Sequence, residues 1–62
     1  VVQPGDKVQI LYPAYVAGKT TVVLEKETLQ DGSKTGYWLV RTEGDGEVLV
    51  LLAKEMRLLK ST

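Results

Sequence analysis

The chain reads as all-β: a small closed barrel of five short strands, with one 3-10 or helical turn before the last. Three observations carry that reading. Apolar and polar residues alternate with a period of two through most of the chain, Gly, Pro and Asp punctuate the alternating runs, and β-branched residues crowd the second run. A chain of 62 residues is one domain, expected to span 1–62. At that length only about 60% of the unfolded surface leaves water, so the core has to be economical. Closing a sheet on itself removes its edges, which makes a barrel the expected solution.

The first strand is expected in Lys7-Val8-Gln9-Ile10-Leu11-Tyr12, after the turn Pro4-Gly5-Asp6. Val8 and Ile10, with Tyr12 in phase, take one face and Lys7 and Gln9 the other. Pro13 ends the strand because it cannot donate to a ladder, and Pro13 to Lys19 reads as a returning loop. Thr20 to Lys26 is the second strand: Thr20, Thr21, Val22 and Val23 would lose rotamer freedom in a helix. Gln30 to Gly36 is a polar hairpin tip. Tyr37 to Thr42 follows as the third strand, with Trp38 and Val40 on one face and Tyr37, Leu39 and Arg41 on the other.

Glu43-Gly44-Asp45-Gly46 is a tight turn, and Glu47 to Leu52 is a fourth strand, apolar on both faces for most of its length. Leu51 to Leu59 could also be wound as about two helical turns. A single turn at Ala53-Lys54-Glu55-Met56 and a last strand Arg57-Leu58-Leu59-Lys60 fit the spacing better. The inward set is expected to be Val8, Ile10, Val23, Trp38, Val40, Val48 and Val50. That leaves Val22, Leu24, Leu39, Leu49, Leu51, Leu58 and Leu59 as apolar excess, more than a barrel this size buries.

Composition excludes several chemistries. There is no cysteine and no histidine, so the usual zinc, iron–sulfur and haem ligand sets and the histidine-based acid/base devices are missing. No catalytic residue, metal or cofactor is expected, and no small-molecule substrate. Eight basic and eight acidic side chains leave no net charge at pH 7, which disfavours non-specific nucleic-acid binding. The longest apolar stretch, Val48 to Ala53, falls well short of the ~20 residues of a membrane span. Val1 to Gly5 lacks the basic and apolar regions of a signal peptide, so a cytoplasmic setting is the default. Gly44-Asp45-Gly46 precedes no helix and is a turn, not a dinucleotide fingerprint. Asp31, Glu43, Asp45 and Glu47 sit in two hairpin tips without calcium-loop spacing and are expected to be solvated.

The order of four strands, a helical turn and a closing strand resembles the SH3-like barrel superfamily. Val2-Gln3-Pro4-Gly5-Asp6-Lys7-Val8-Gln9-Ile10-Leu11-Tyr12-Pro13 is similar to the opening of the peripheral E subunit of photosystem I. Gly5-Asp6-Lys7-Val8, Gly18-Lys19 and Val23 resemble the KOW motif of ribosomal and transcription-elongation proteins. Thr21 stands where KOW proteins carry a second glycine. Gln9 and Tyr12 stand near the places where the photosystem subunit has basic residues. The first resemblance implies an accessory subunit docked on a larger complex, in a cyanobacterial or plastid setting. The second implies contact with structured RNA, through Lys7, Lys19 and Arg41. In length the chain also looks like the type II plasmid dihydrofolate reductase, a tetramer with a Val-Gln-Ile-Tyr stretch on a late strand; Val48-Leu49-Val50-Leu51-Leu52 lacks it.

Tyr12 and Tyr15 flank Pro13, where SH3 domains place tyrosines that grip proline-rich ligands. The competing expectation, and the preferred one, is that one ring caps the core and the other covers the loop, since the chain has three tyrosines, one tryptophan and no phenylalanine. Trp38, in phase with Val40, is expected inside. Lys19 is expected to be a solvated loop lysine. The surface expected to do the work is an apolar patch of Leu49 and Leu51 with Leu39 or Val22 beside them, serving self-association or docking to a protein partner.

Overall fold

Residues 2–62 are described by a computed structural model. Its elements are β1 (Lys7–Ile10), a 3-10 turn (Ala14–Val16), β2 (Thr20–Thr28), β3 (Lys34–Thr42), β4 (Val48–Leu52), a second 3-10 turn (Ala53–Glu55) and β5 (Met56–Lys60). All five strands form one antiparallel sheet in the order β4-β3-β2-β1-β5. Each strand therefore pairs with its neighbour in sequence except β5, which returns to lie beside β1. Among the described residues no ladder joins β4 to β5, so hydrogen bonding leaves the sheet with two edges. The Ala53–Glu55 turn is the covalent bridge between them. No helix of the described residues is long and apolar enough to cross a membrane.

Register shifts interrupt two of the ladders of this sheet. Between Val23 and Glu25, β2 advances two residues while β3 advances one, from Val40 to Leu39. Between Lys26 and Thr28 the excess lies on β3, which runs from Trp38 to Lys34; Gly36, at φ +92°, sits in this stretch with a backbone that L side chains rarely adopt. Such irregularities bend a strand and raise its twist. The accessible surface, 4156 Å², is close to the ~4,000 Å² expected of a compact protein of this mass. The sheet packs a compact core although no ladder closes it.

That core is Val8, Ile10, Val16, Val23, Trp38, Val40, Leu51 and Met56, with Val2 and Leu49 packed against it. The alternation of β1, the β2 phase and the inward Trp38 agree with the sequence reading. The phase of β4 does not. Val48 and Val50, expected inside, are 49% and 44% exposed, whereas Leu51, expected on the outer patch, is 4% exposed. Pairing explains the reversal. The Thr42 N–H donates to the Glu47 carbonyl at 2.8 Å, which sets the hairpin register. Val40 then faces Leu49, and Trp38 faces Leu51. Partners directly opposite share a face, so Leu49 and Leu51 follow Val40 and Trp38 inward.

Two core residues come from unexpected places. Val16 reaches the interior from the loop after Pro13, which winds into a 3-10 turn as the Val16 N–H bonds the Pro13 carbonyl at 3.1 Å. Met56 opens β5 rather than ending the preceding turn. The interior also holds polar groups: Asp6, Thr21 and Thr42 are all buried. Thr42 donates its hydroxyl to Asp45 and receives the Glu47 N–H at 2.9 Å. The Thr21 hydroxyl is buried with no partner.

Candidate docking face and groove

The register that turns Leu49 and Leu51 inward turns a second apolar set outward. Tyr37 faces Leu52, Leu39 faces Val50 and Arg41 faces Val48 across the β3–β4 ladder. Tyr37, Val48 and Val50 are exposed, and Leu39 and Leu52 are half-buried. On β2, Val22 lies opposite Arg41 and extends this surface. A hollow of about 290 Å³ lies there, lined by Val22, Leu24, Arg41, Thr42 and Glu43. The patch expected around Leu49 and Leu51 is not on the surface, and a different apolar set faces outward. It is built from Leu39, Val48 and Val50, with Leu49 half-buried against the core and Leu51 buried within it.

A groove of about 280 Å³ runs between β4 and the loop of the first 3-10 turn, with Pro13, Tyr15, Tyr37, Leu49, Val50 and Glu55 on its sides. The buried Val16 and Leu51 reach its base. Tyr15 is 82% and Tyr12 63% exposed. Neither ring caps the core, which corrects the packing role expected for one of them. Val16 is the residue of this loop that is buried, and β1 ends at Ile10, before Tyr12 can follow the strand's alternation. Tyr15 and Tyr37 line the groove together; Tyr12 does not.

Glu55 fixes this end of the molecule. Its carbonyl receives the Leu11 N–H at 2.7 Å and the Tyr12 N–H at 3.4 Å. Its carboxylate receives the Leu52 N–H at 2.8 Å. These bonds hold the segment before Pro13 against the bridge between β4 and β5, at the side of the groove.

The basic residues singled out for RNA are placed differently. Lys7 lies 3.2 Å from Glu43, and Lys19 lies 3.5 Å from Asp45. Arg41 is exposed beside the Val22–Leu24 hollow. The three do not present an uninterrupted cationic surface, because two of them face carboxylates.

Carboxylates with a shifted acidity have structural partners. Asp6 is held below the usual carboxylate range by the Gln3 N–H (2.9 Å) and the Thr62 N–H (3.1 Å), with burial opposing and the Thr62 hydroxyl (3.3 Å) assisting. Asp45 is lowered first by the Thr42 hydroxyl, then by the Glu47 N–H and the nearby Lys19. The Ser33 hydroxyl and N–H lower Asp31 in the other tip. Among the described residues no three His, Cys, Asp or Glu side chains come together as a metal-ligand set.

Comparison with family models, with curated proteins and with solved structures returned no match for this chain.

Proposed function

We propose that this chain is a non-enzymatic interaction module of the SH3-like barrel type, an accessory unit that docks on a larger protein complex through its apolar outer face. The observation that carries the reading is the β3–β4 surface: Tyr37, Leu39, Val48 and Val50 lie outward on a ribbon whose other side is already occupied by core. A ribbon apolar on both sides has one more apolar face than folding uses. The fold part of the reading is supported by the order β4-β3-β2-β1-β5, with a 3-10 turn between the last two strands. SH3-like barrels share that order.

The RNA-binding alternative draws less support, because Lys7 and Lys19 are engaged by Glu43 and Asp45. Co-purification from the native cell, with wild type beside Leu39→Lys and Tyr37→Ser, tests the docking reading. A partner should stay bound from roughly 50 to 200 mM salt, since apolar docking is insensitive where phosphate contacts lose affinity steeply. Both variants should release it. A partner that resists both substitutions, or an RNA that dissociates with salt, would overturn the proposal.

A further inference from the structure

The two edges of the sheet are built differently. β5 carries Arg57 and Lys60, and its ladder with β1 shifts register between Lys7 and Val8, where β5 spends an extra residue at Leu59. Charge and a bulge are both devices that keep an edge from pairing with another chain. β4 has neither: Val48-Leu49-Val50-Leu51-Leu52 contains no charge and no proline, and its ladder with β3 runs without a shift.

The free groups of β4 can be assigned. The Thr42 N–H to Glu47 carbonyl bond starts the ladder, and antiparallel pairs alternate between bonded and non-bonded. Val40–Leu49 and Trp38–Leu51 are therefore the bonded pairs, and Val48, Val50 and Leu52 aim their N–H and C=O groups away from β3. The Leu52 N–H is taken by the Glu55 carboxylate. Among the described residues β4 has a ladder with β3 alone, so the outward groups of Val48 and Val50 have no strand partner.

We propose that β4 pairs with the β4 of a second copy of this chain, antiparallel and centred on Val50, to continue the sheet across a two-fold axis. The charges flanking the strand select this occupant. Glu47 precedes it and Lys54 follows it, both exposed and neither in an ion pair among the described residues. Reversing the strand and laying it against itself brings the Glu47 end of each copy to the Lys54 end of the other, so the segment is its own electrostatic complement. With no net charge on the chain, long-range repulsion between copies is absent. In this register Val50 of each copy exchanges bonds with its counterpart, and each Val48 N–H meets a Leu52 carbonyl that the 3-10 turn uses once, for the Glu55 N–H, and that keeps a second lone pair. The exposed Tyr15 ring, across the groove from Val50, flanks the seam.

This pairing does not depend on the docking role proposed above, because it uses the β4 backbone rather than the β3 side chains. A five-residue seam buries less than a standard interface, so association should be weak, with Kd on the order of 0.1–1 mM. Sedimentation equilibrium should show a reversible dimer at roughly that concentration. Amide exchange at Val48 and Val50 should slow several-fold from dilute to concentrated wild-type solution, while the outward amides of β5 stay unchanged. Val50→Pro removes an outward-facing donor that β3 does not use and should abolish the dimer; Leu39→Lys, on the interior strand β3, should leave it intact. A chain that stays monomeric at ~1 mM would overturn the proposal. So would a dimer whose Val48 and Val50 amides exchange no more slowly on concentration, a reading that holds even if the proline variant fails to fold.

Discussion

The inner and outer faces of the β3–β4 ribbon have nearly the same composition and opposite fates. Inside stand Trp38, Val40, Leu49 and Leu51; outside stand Tyr37, Leu39, Val48, Val50 and Leu52. Apart from Arg41, which lies on the outer face opposite Val48, hydrophobicity does not distinguish them. What does is the register fixed at the Glu43–Gly46 turn, where the Thr42 hydroxyl and Asp45 hold the Glu47 N–H and commit every later residue to one side. A polar hairpin tip therefore decides which apolar residues become core and which become surface.

The largest expected effect tests that distinction on adjacent residues. Leu51→Lys buries an unpaired ammonium and should cost about 4 kcal/mol or more, enough to remove the cooperative transition of a domain worth roughly 3–5 kcal/mol. Val50→Lys should cost about 1 kcal/mol or less in the same urea titration, because its side chain is 44% exposed and a lysine head there can reach water. Equal losses would mean the assigned faces are wrong. Ile10→Ala, at a fully buried site, should destabilise by about 2–5 kcal/mol, against under about 1 kcal/mol for Leu39→Ala on the outer face.

A smaller effect sharpens the comparison from the polar side. Thr21 is an inward residue whose hydroxyl has no partner. Thr21→Val should stabilise by about 1 kcal/mol and raise the melting temperature by roughly 4–8 °C. A fall in melting temperature would show that the hydroxyl is satisfied in solution.

The smallest effect is read in acid. Asp6 titrates from a folded value below its ordinary 3.8. Its contribution is present above that ordinary value and is lost as pH falls through the folded one. Chemical denaturation from pH 5 to about pH 2 should show wild-type stability falling with acid, and Asp6→Asn should flatten that slope. An unchanged slope would assign the acid sensitivity to other carboxylates.

Much of this fold is legible in the sequence, for reasons particular residues make plain. β1 could be read because Lys7 and Gln9 alternate with Val8 and Ile10. The last turn and β5 could be placed because Ala53-Lys54-Glu55 interrupts two apolar runs. β4 could be located but not phased, since Val-Leu-Val-Leu-Leu offers no polar residue to mark the outside. Val16 was invisible as core because a 3-10 turn of three residues leaves no periodicity to detect. The working surface was legible as a surplus of apolar residues, and its membership waited on the register.

The carboxylate of Asp6 has a consequence for chain topology. It gathers the Gln3 N–H and the Thr62 N–H onto one side chain, so backbone at the two extremities of the sequence lies side by side. Gly5 is part of the same knot: a Cβ there would stand 2.6 Å from the Thr62 hydroxyl. A unit whose entry and exit points touch can be spliced into an exposed loop of another protein without stretching its host. By the same geometry, a short linker joining residue 62 to residue 2 would allow new ends to be opened at the exposed Gly32 tip, giving a circular permutant with the same sheet order.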